Sequence, residues 1–170
     1  SYIATGACFI YIAIEGWFLS VGDVFLILID VFLLTLFGTA ISSIINSFLS
    51  TQGQISAVGT IVSAGYGFIC GAYMPISQFS PFLQKAIAFL PGTYGTSLIR
   101  NHALNGVYKE MANQFPAEVI EGIKDSIDCN IYFFDNKVSI PAMYIILISS
   151  IIVLIGAYVL INALKNRKAR

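Results

Sequence analysis

Two stretches, Val24 to Phe48 and Pro141 to Leu164, each exceed the roughly 20 residues that a bilayer's hydrocarbon core demands, and together they hold one charged side chain, Asp30. Hydrocarbon offers no water to bond the backbone, so each run has to close its own hydrogen bonds as a helix. Composition agrees: 57% of the 170 residues are hydrophobic and 11% charged, with a mean hydropathy of +0.82, more apolar than a water-soluble surface. The fold class expected is an all-α membrane protein, a polytopic helical bundle forming a single transmembrane domain over 1–170.

Ser1 to Leu19 and Ile55 to Tyr73 are two further apolar runs, giving expected spans at about 1–19, 24–48, 55–73 and 141–164. Ser20-Val21-Gly22-Asp23 reads as a tight turn between antiparallel neighbours, and Leu49 to Gln54 as a polar loop. Ser1 already lies inside an apolar run, without an initiator Met or a basic leader region, which suggests that the sequence is part of a longer chain.

The net charge is zero but the signs are segregated. Lys165, Arg167, Lys168 and Arg170 close the chain, while six of the nine carboxylates fall between Glu110 and Asp135. The positive-inside tendency puts the basic end in the cytoplasm. Counting spans back from it places 74–138 outside, in a cell membrane crossed several times, and the loop at 49–54 inside.

The run ending at Tyr73 stops on Gly71-Ala72-Tyr73-Met74-Pro75, and Pro75 forbids its simple continuation. Ser80 and Pro81 can open a short helix with Phe82, Leu83, Ala86, Ile87 and Leu90 on one face. Pro91-Gly92 breaks it, and Thr93 to Asn105, through Tyr94 and Arg100, can form another, closed by Asn105-Gly106. Neither is expected to span, so the segment at about 80–105 should lie in the interface or dip in and return on the external side. The region 107–138 is expected to hold a helix from Pro116 to Ile127, with Val119, Ile120, Ile123 and Ile127 packing over that mouth.

Two helical stripes stand out. Gly59, Ser63, Gly67 and Gly71 recur every four residues and make a flat packing surface, within the bundle or between subunits. Thr35, Ser42 and Asn46 belong to a polar stripe that must face the bundle or a wet cavity, either as packing or as a substrate path. Glu15 and Asp30 fall near the external ends of their spans, where a carboxylate can reach water. His102, beside Arg100 and Asn105, has no nucleophile or second metal ligand at a recognisable spacing and reads as an exposed interfacial histidine. Glu118, Glu121, Asp125 and Asp128 lack the spacing of a calcium loop. Cys8, Cys70 and Cys129 form neither a disulfide framework nor a metal pair. No glycine-rich phosphate loop is present, so nothing here binds nucleotide by that route.

The order Gly71, Pro75, Pro81, Leu90-Pro91, Thr93-Tyr94, after a helix with a serine-rich end at Ser42 to Ser50, resembles the permease subunit of type-2 ABC exporters. The resemblance implies six spans, of which this chain holds the last four, with the proline-broken helices forming a re-entrant external gate. It also implies transport out of the cell by alternating access, of a drug, lipid, polysaccharide or peptide-like substrate. ATP-Mg would sit on a separate nucleotide-binding ATPase subunit, leaving this chain without a cofactor, a metal or a catalytic residue. Its partners would be that ATPase, a second permease copy or paralogue and the lipid bilayer, with no nucleic acid. Thr51, Gln52 and Gln54 are the loop residues left for ATPase contact. Two alternatives are an ATP-independent channel or scaffold and a membrane enzyme with an external site near His102.

Overall fold

The computed structural model describes residues 1–134 and 136–168, so Asp135 of the acidic region and Arg170 of the basic end lie outside the described residues. Seven α-helices run through the described residues: α1 (Tyr2–Glu15), α2 (Val21–Asn46), α3 (Gln52–Ile69), α4 (Pro81–Ile87), α5 (Pro91–Met111), α6 (Ala117–Ser126) and α7 (Ile140–Lys168). A 3-10 turn at Ile76–Gln78 precedes α4. A two-residue hairpin, β1 (Tyr132–Phe133) with β2 (Asn136–Lys137), interrupts the all-helical pattern, pairing Tyr132 with Lys137 and Phe133 with Asn136.

Two of these helices, α2 and α7, are long and apolar enough to cross a membrane. The runs at 1–19 and 55–73 make shorter helices than expected. At about 1.5 Å per residue the 14-residue α1 covers roughly 21 Å, short of the hydrocarbon core. The segment 20–23 is no separate turn: Ser20 caps α2 and the helix starts at Val21, because Ser20 Oγ accepts from Asp23 N and Asp23 Oδ2 accepts from Ser20 N.

The α3 helix ends at Ile69 because Gly71 takes φ +77°. Ala72 N then donates to Gly67 O at 3.0 Å and Gly71 N to Phe68 O at 3.3 Å, the paired closure that a left-handed residue makes possible and a side chain would resist.

The core is the meeting of α2, α5 and α7. Phe37, Tyr94, Leu98, Met143, Leu147 and Ile151 are buried in one cluster, joined by Ile76, Ile87 and Ile131 from the connecting segments. Between α2 and α5, Asn105 bonds Asp23 and His102 bonds Asp30, while Gly95 lies against Leu34, so the two run antiparallel. Between α2 and α7, Tyr144 bonds Asp30 near one end and Lys165 Nζ donates to Ser47 O at the other, so these two are parallel. The least apolar of the three, α5, is sheltered by the other two, as a polar helix in lipid must be.

The expected stop at Asn105-Gly106 does not occur, and α5 continues to Met111. Gly106 serves close approach instead, since a Cβ there would overlap the backbone carbonyl of Phe18 in the α1–α2 connection. Beyond it α6 docks on the far half of α5 through Ile120, with Ile123 and Ile127 beside it, against Tyr108 and Cys129. Val119 stays exposed.

Replacing Gly106 by Ala pushes a methyl into backbone that has no rotamer to yield. Thermal unfolding in detergent is expected to show a loss of about 1–3 kcal/mol. Gly122→Ala, with nothing within 4 Å of its added Cβ, is the matched control and is expected to be neutral or slightly stabilising.

Candidate functional site

The segment from Gly71 to Arg100 folds into a bend, a short helix and a turn into α5, and that turn lies deep. Leu90 and Pro91 share a surface hollow with Phe37, Ile41 and Tyr66, and Phe37 is the 17th residue of α2, roughly 24 Å along it from Val21. The break at Pro91 is therefore level with the interior of α2, a helix long and apolar enough to cross a membrane.

Backbone groups freed at such a depth need partners, and the residues around Pro91 supply them. Pro91 is the first residue of α5, where its missing N–H is no loss. Gly92 N donates to Tyr66 Oη at 3.2 Å, Thr93 Oγ1 to Ile87 O at 3.2 Å and Tyr94 Oη to Ala88 O at 2.5 Å. Ile87 O also accepts from Leu90 N at 2.8 Å, whereas the Ala88 carbonyl has the Tyr94 hydroxyl as its partner at the end of α4. Thr96 Oγ1 donates to Cys70 O at 2.8 Å, tying α5 to the end of α3. Pro75 and Pro81 open the 3-10 turn and α4 respectively, each just before its first free N–H groups.

Arg100 reaches back to the same bend, donating through Nη2 to Gly71 O and through Nη1 to Asp128 Oδ2 at 3.4 Å. Asp128, buried and at φ +56°, also accepts from Ile76 N at 2.5 Å and Ser77 N at 3.3 Å. Ser97 and Asn101 both donate to Cys129 O, at 2.9 and 2.6 Å. The segment at 126–131 is thereby keyed into the bend, a connection that no spacing in the sequence announces. The Asp125–Glu121 side of α6 holds this segment in turn, through Asn130 and Tyr132.

Gly59, Ser63 and Gly67 face Gly38, Ser42 and Asn46 across a cleft of about 250 Å³ between α3 and α2. Among the described residues nothing beyond the local helix backbone lies within 4 Å of a Cβ built on Gly59, whereas Gly67 is covered by the Tyr73 ring. Gly71 of that stripe belongs to the bend and not to the cleft. Asn46 Nδ2 donates to Ser42 Oγ at 3.4 Å, so those two form a pair. Thr35 is not with them, since it sits on the α1 side, bonded to Ser1. Thr51, Gln52 and Gln54 are not loop but the capped start of α3: Thr51 Oγ1 accepts from Gln54 N, and Gln54 Oε1 accepts from Thr51 N.

Two expectations about ionisable residues are overturned. Asp30 is fully buried and accepts from Tyr144 Oη at 2.5 Å, with its other oxygen 2.6 Å from His102 Nδ1. His102 is correspondingly buried, not exposed at the interface, because this pairing draws it between α2 and α7. Glu15, by contrast, is exposed at the end of α1. Among the described residues no group of three or more His, Cys, Asp or Glu side chains could hold a metal ion.

Outside the spans, hydrogen bonds from Lys137 and Lys124 hold the Glu121 carboxyl down to about 2, below its ordinary 4.5. Lys137 belongs to β2, so this carboxylate tethers the hairpin to α6.

A family model described as ABC-2 type transporter matches residues 2–103, from the start of α1 into α5. No curated protein and no solved structure matches the chain significantly.

Removing the Tyr94 hydroxyl leaves the Ala88 carbonyl bare in an apolar setting, so Tyr94→Phe is expected to cost about 1–3 kcal/mol in thermal unfolding. The Glu121 tether has a depressed carboxyl, so its contribution is complete above about 4.5 and lost as pH falls towards about 2. Protection factors against hydrogen exchange at 132–134 and 136–137 are expected to fall over that window, and Glu121→Gln to abolish the dependence.

Proposed function

The chain belongs to the ABC-2 type transporter family, and from that premise we propose that it is the membrane-spanning half of an ATP-driven exporter, with a re-entrant gate at its external face. As a permease it is a transport component and not itself an enzyme, and it works in a membrane. The gate is the α4–α5 turn with its supporting bend at Gly71 to Arg100. The observation that carries this is the depth of Pro91 beside Phe37, which supports a chain that enters the bilayer and returns.

In the four-span reading, α1 and α3 complete the crossings together with protein outside this sequence. The shared end of α2 and α7, joined by Lys165 and Ser47, supports the same sidedness for the 47–54 connection and the basic end, both cytoplasmic. The uncovered Gly59 and the cleft beside it suit a second permease copy or a moving helix, and Ser42 with Asn46 suits a path through that cleft. ATP binding and hydrolysis belong to a separate subunit that closes and re-packs two permease halves. The keyed segment at 126–131 then has to move with the bend or release it. The membrane-enzyme alternative is the weaker reading because His102 is spent on Asp30 and stacked on Tyr144.

Purification of the full-length protein from its native membrane is expected to bring a nucleotide-binding subunit with it, and flux in vesicles to require ATP. Gly71→Leu, which forces a side chain into φ +77° against Ile76, is expected to lower flux at least tenfold with insertion unchanged. ATP-independent flux, or full flux in Gly71→Leu, would overturn the proposal and favour a channel.

A further inference from the structure

A cavity of about 590 Å³ lies outside the gate, walled by the first turns of α2, one side of α5, the α6 helix and the first residue of α7. His102 lines it, with its side chain nine-tenths buried, and Nδ1 is committed to Asp30 at 2.6 Å. Its other nitrogen, Nε2, makes no hydrogen bond among the described residues. No buried side-chain nitrogen or oxygen among the described residues lacks a partner, so this unbonded nitrogen is open to the cavity, where a ligand can reach it.

The neighbouring side chains define which partner. Asn101 spends its amide hydrogens on Ser97 O and Cys129 O, and Asn105 donates to Asp23 Oδ1 at 2.7 Å. What these two amides and the Asp23 carboxylate retain is acceptor capacity. The Asp30 carboxylate on Nδ1 favours the tautomer in which Nε2 is an acceptor as well. Opposite charge stands nearby: Lys109 is exposed on α5 without a hydrogen bond among the described residues, whereas Lys124 is already held by Glu121.

We propose that this cavity binds a phosphoethanolamine group, its primary ammonium among Asp23, Asn101, His102 and Asn105 and its phosphate on Lys109. The ammonium supplies N–H donors where acceptors converge, and a trimethylated headgroup supplies none. Leu26 and Ile140 border the same cavity at the ends of the two apolar helices, the depth at which a lipid carries its headgroup. The site is independent of ATP coupling and of export, so its test does not depend on either.

His102 is the only histidine in the chain, so imidazole-15N labelling of the full chain in phosphatidylcholine nanodiscs gives one pair of ring signals. Replacing part of the phosphatidylcholine by phosphatidylethanolamine is expected to shift the Nε2 signal saturably. Lys109→Gln is expected to require roughly tenfold more of that lipid, the loss of one charge-assisted contact, and Lys109→Arg to retain the response. Water-soluble phosphoethanolamine forms the second arm: a shift with it alone, and none with the lipid, assigns the site to the free compound. Ring signals that neither source moves would overturn the proposal, as would a Lys109→Gln response equal to that of the unsubstituted chain.

Discussion

Everything distinctive in this chain follows from one demand of the bilayer, that no peptide group be left without a hydrogen bond where water is absent. An uninterrupted helix meets it automatically, which is why α2 and α7 need no special residues. The break at Pro91 cannot, and the residues clustered there are those able to repair it. Thr93 and Tyr94 turn back onto the carbonyls of Ile87 and Ala88, Tyr66 serves the N–H of Gly92, and Thr96 and Arg100 serve the carbonyls at the end of α3. The Leu-Pro-Gly-Thr-Tyr stretch is thus a set of hydrogen-bond replacements placed where a helix was cut.

The same demand reaches beyond the turn. Asp128 arrives from a segment more than fifty residues downstream of the bend and satisfies two N–H groups of the 3-10 turn with one carboxylate. A charged group with that many partners is costly to withdraw, so the 126–131 segment and the bend behave as one piece. Tyr108, Ile120 and Cys129 seat α6 against the same unit. The matched family region ends at residue 103, so this clasp lies between a part that the family model covers and a part that it does not.

What the sequence disclosed was the local and the periodic. Hydropathy placed α2 and α7 within a few residues, the prolines marked each break, and the apolar spacing of Ile120, Ile123 and Ile127 located α6. Long-range pairing was hidden. Asp30 and His102 lie 72 residues apart, and nothing at either position hints at the other. Each was read by its neighbours in sequence, as a carboxylate near a helix end and a histidine on a polar helix, when its environment is set by two other helices. Gly106 misled for a related reason: the sequence cannot tell a glycine that ends a helix from one that admits a neighbouring backbone. Capping chemistry was underused, since Ser20 with Asp23 and Thr51 with Gln54 are both signatures of a helix start and were read as turn and loop.

The junction at Asp30 also bears on how the protein is made. Its carboxylate meets His102 and Tyr144, which follow it by 72 and 114 residues, and a lone aspartate in a helix resists entry into lipid. At the usual pace of synthesis the later partner emerges about 6–23 seconds after Asp30. Until His102 is made Asp30 has neither partner, and until Tyr144 is made it has only one. The α2 helix has to wait beside the insertion machinery or in contact with interfacial water. Release of the bundle into the bilayer is therefore tied to completion of its last helix.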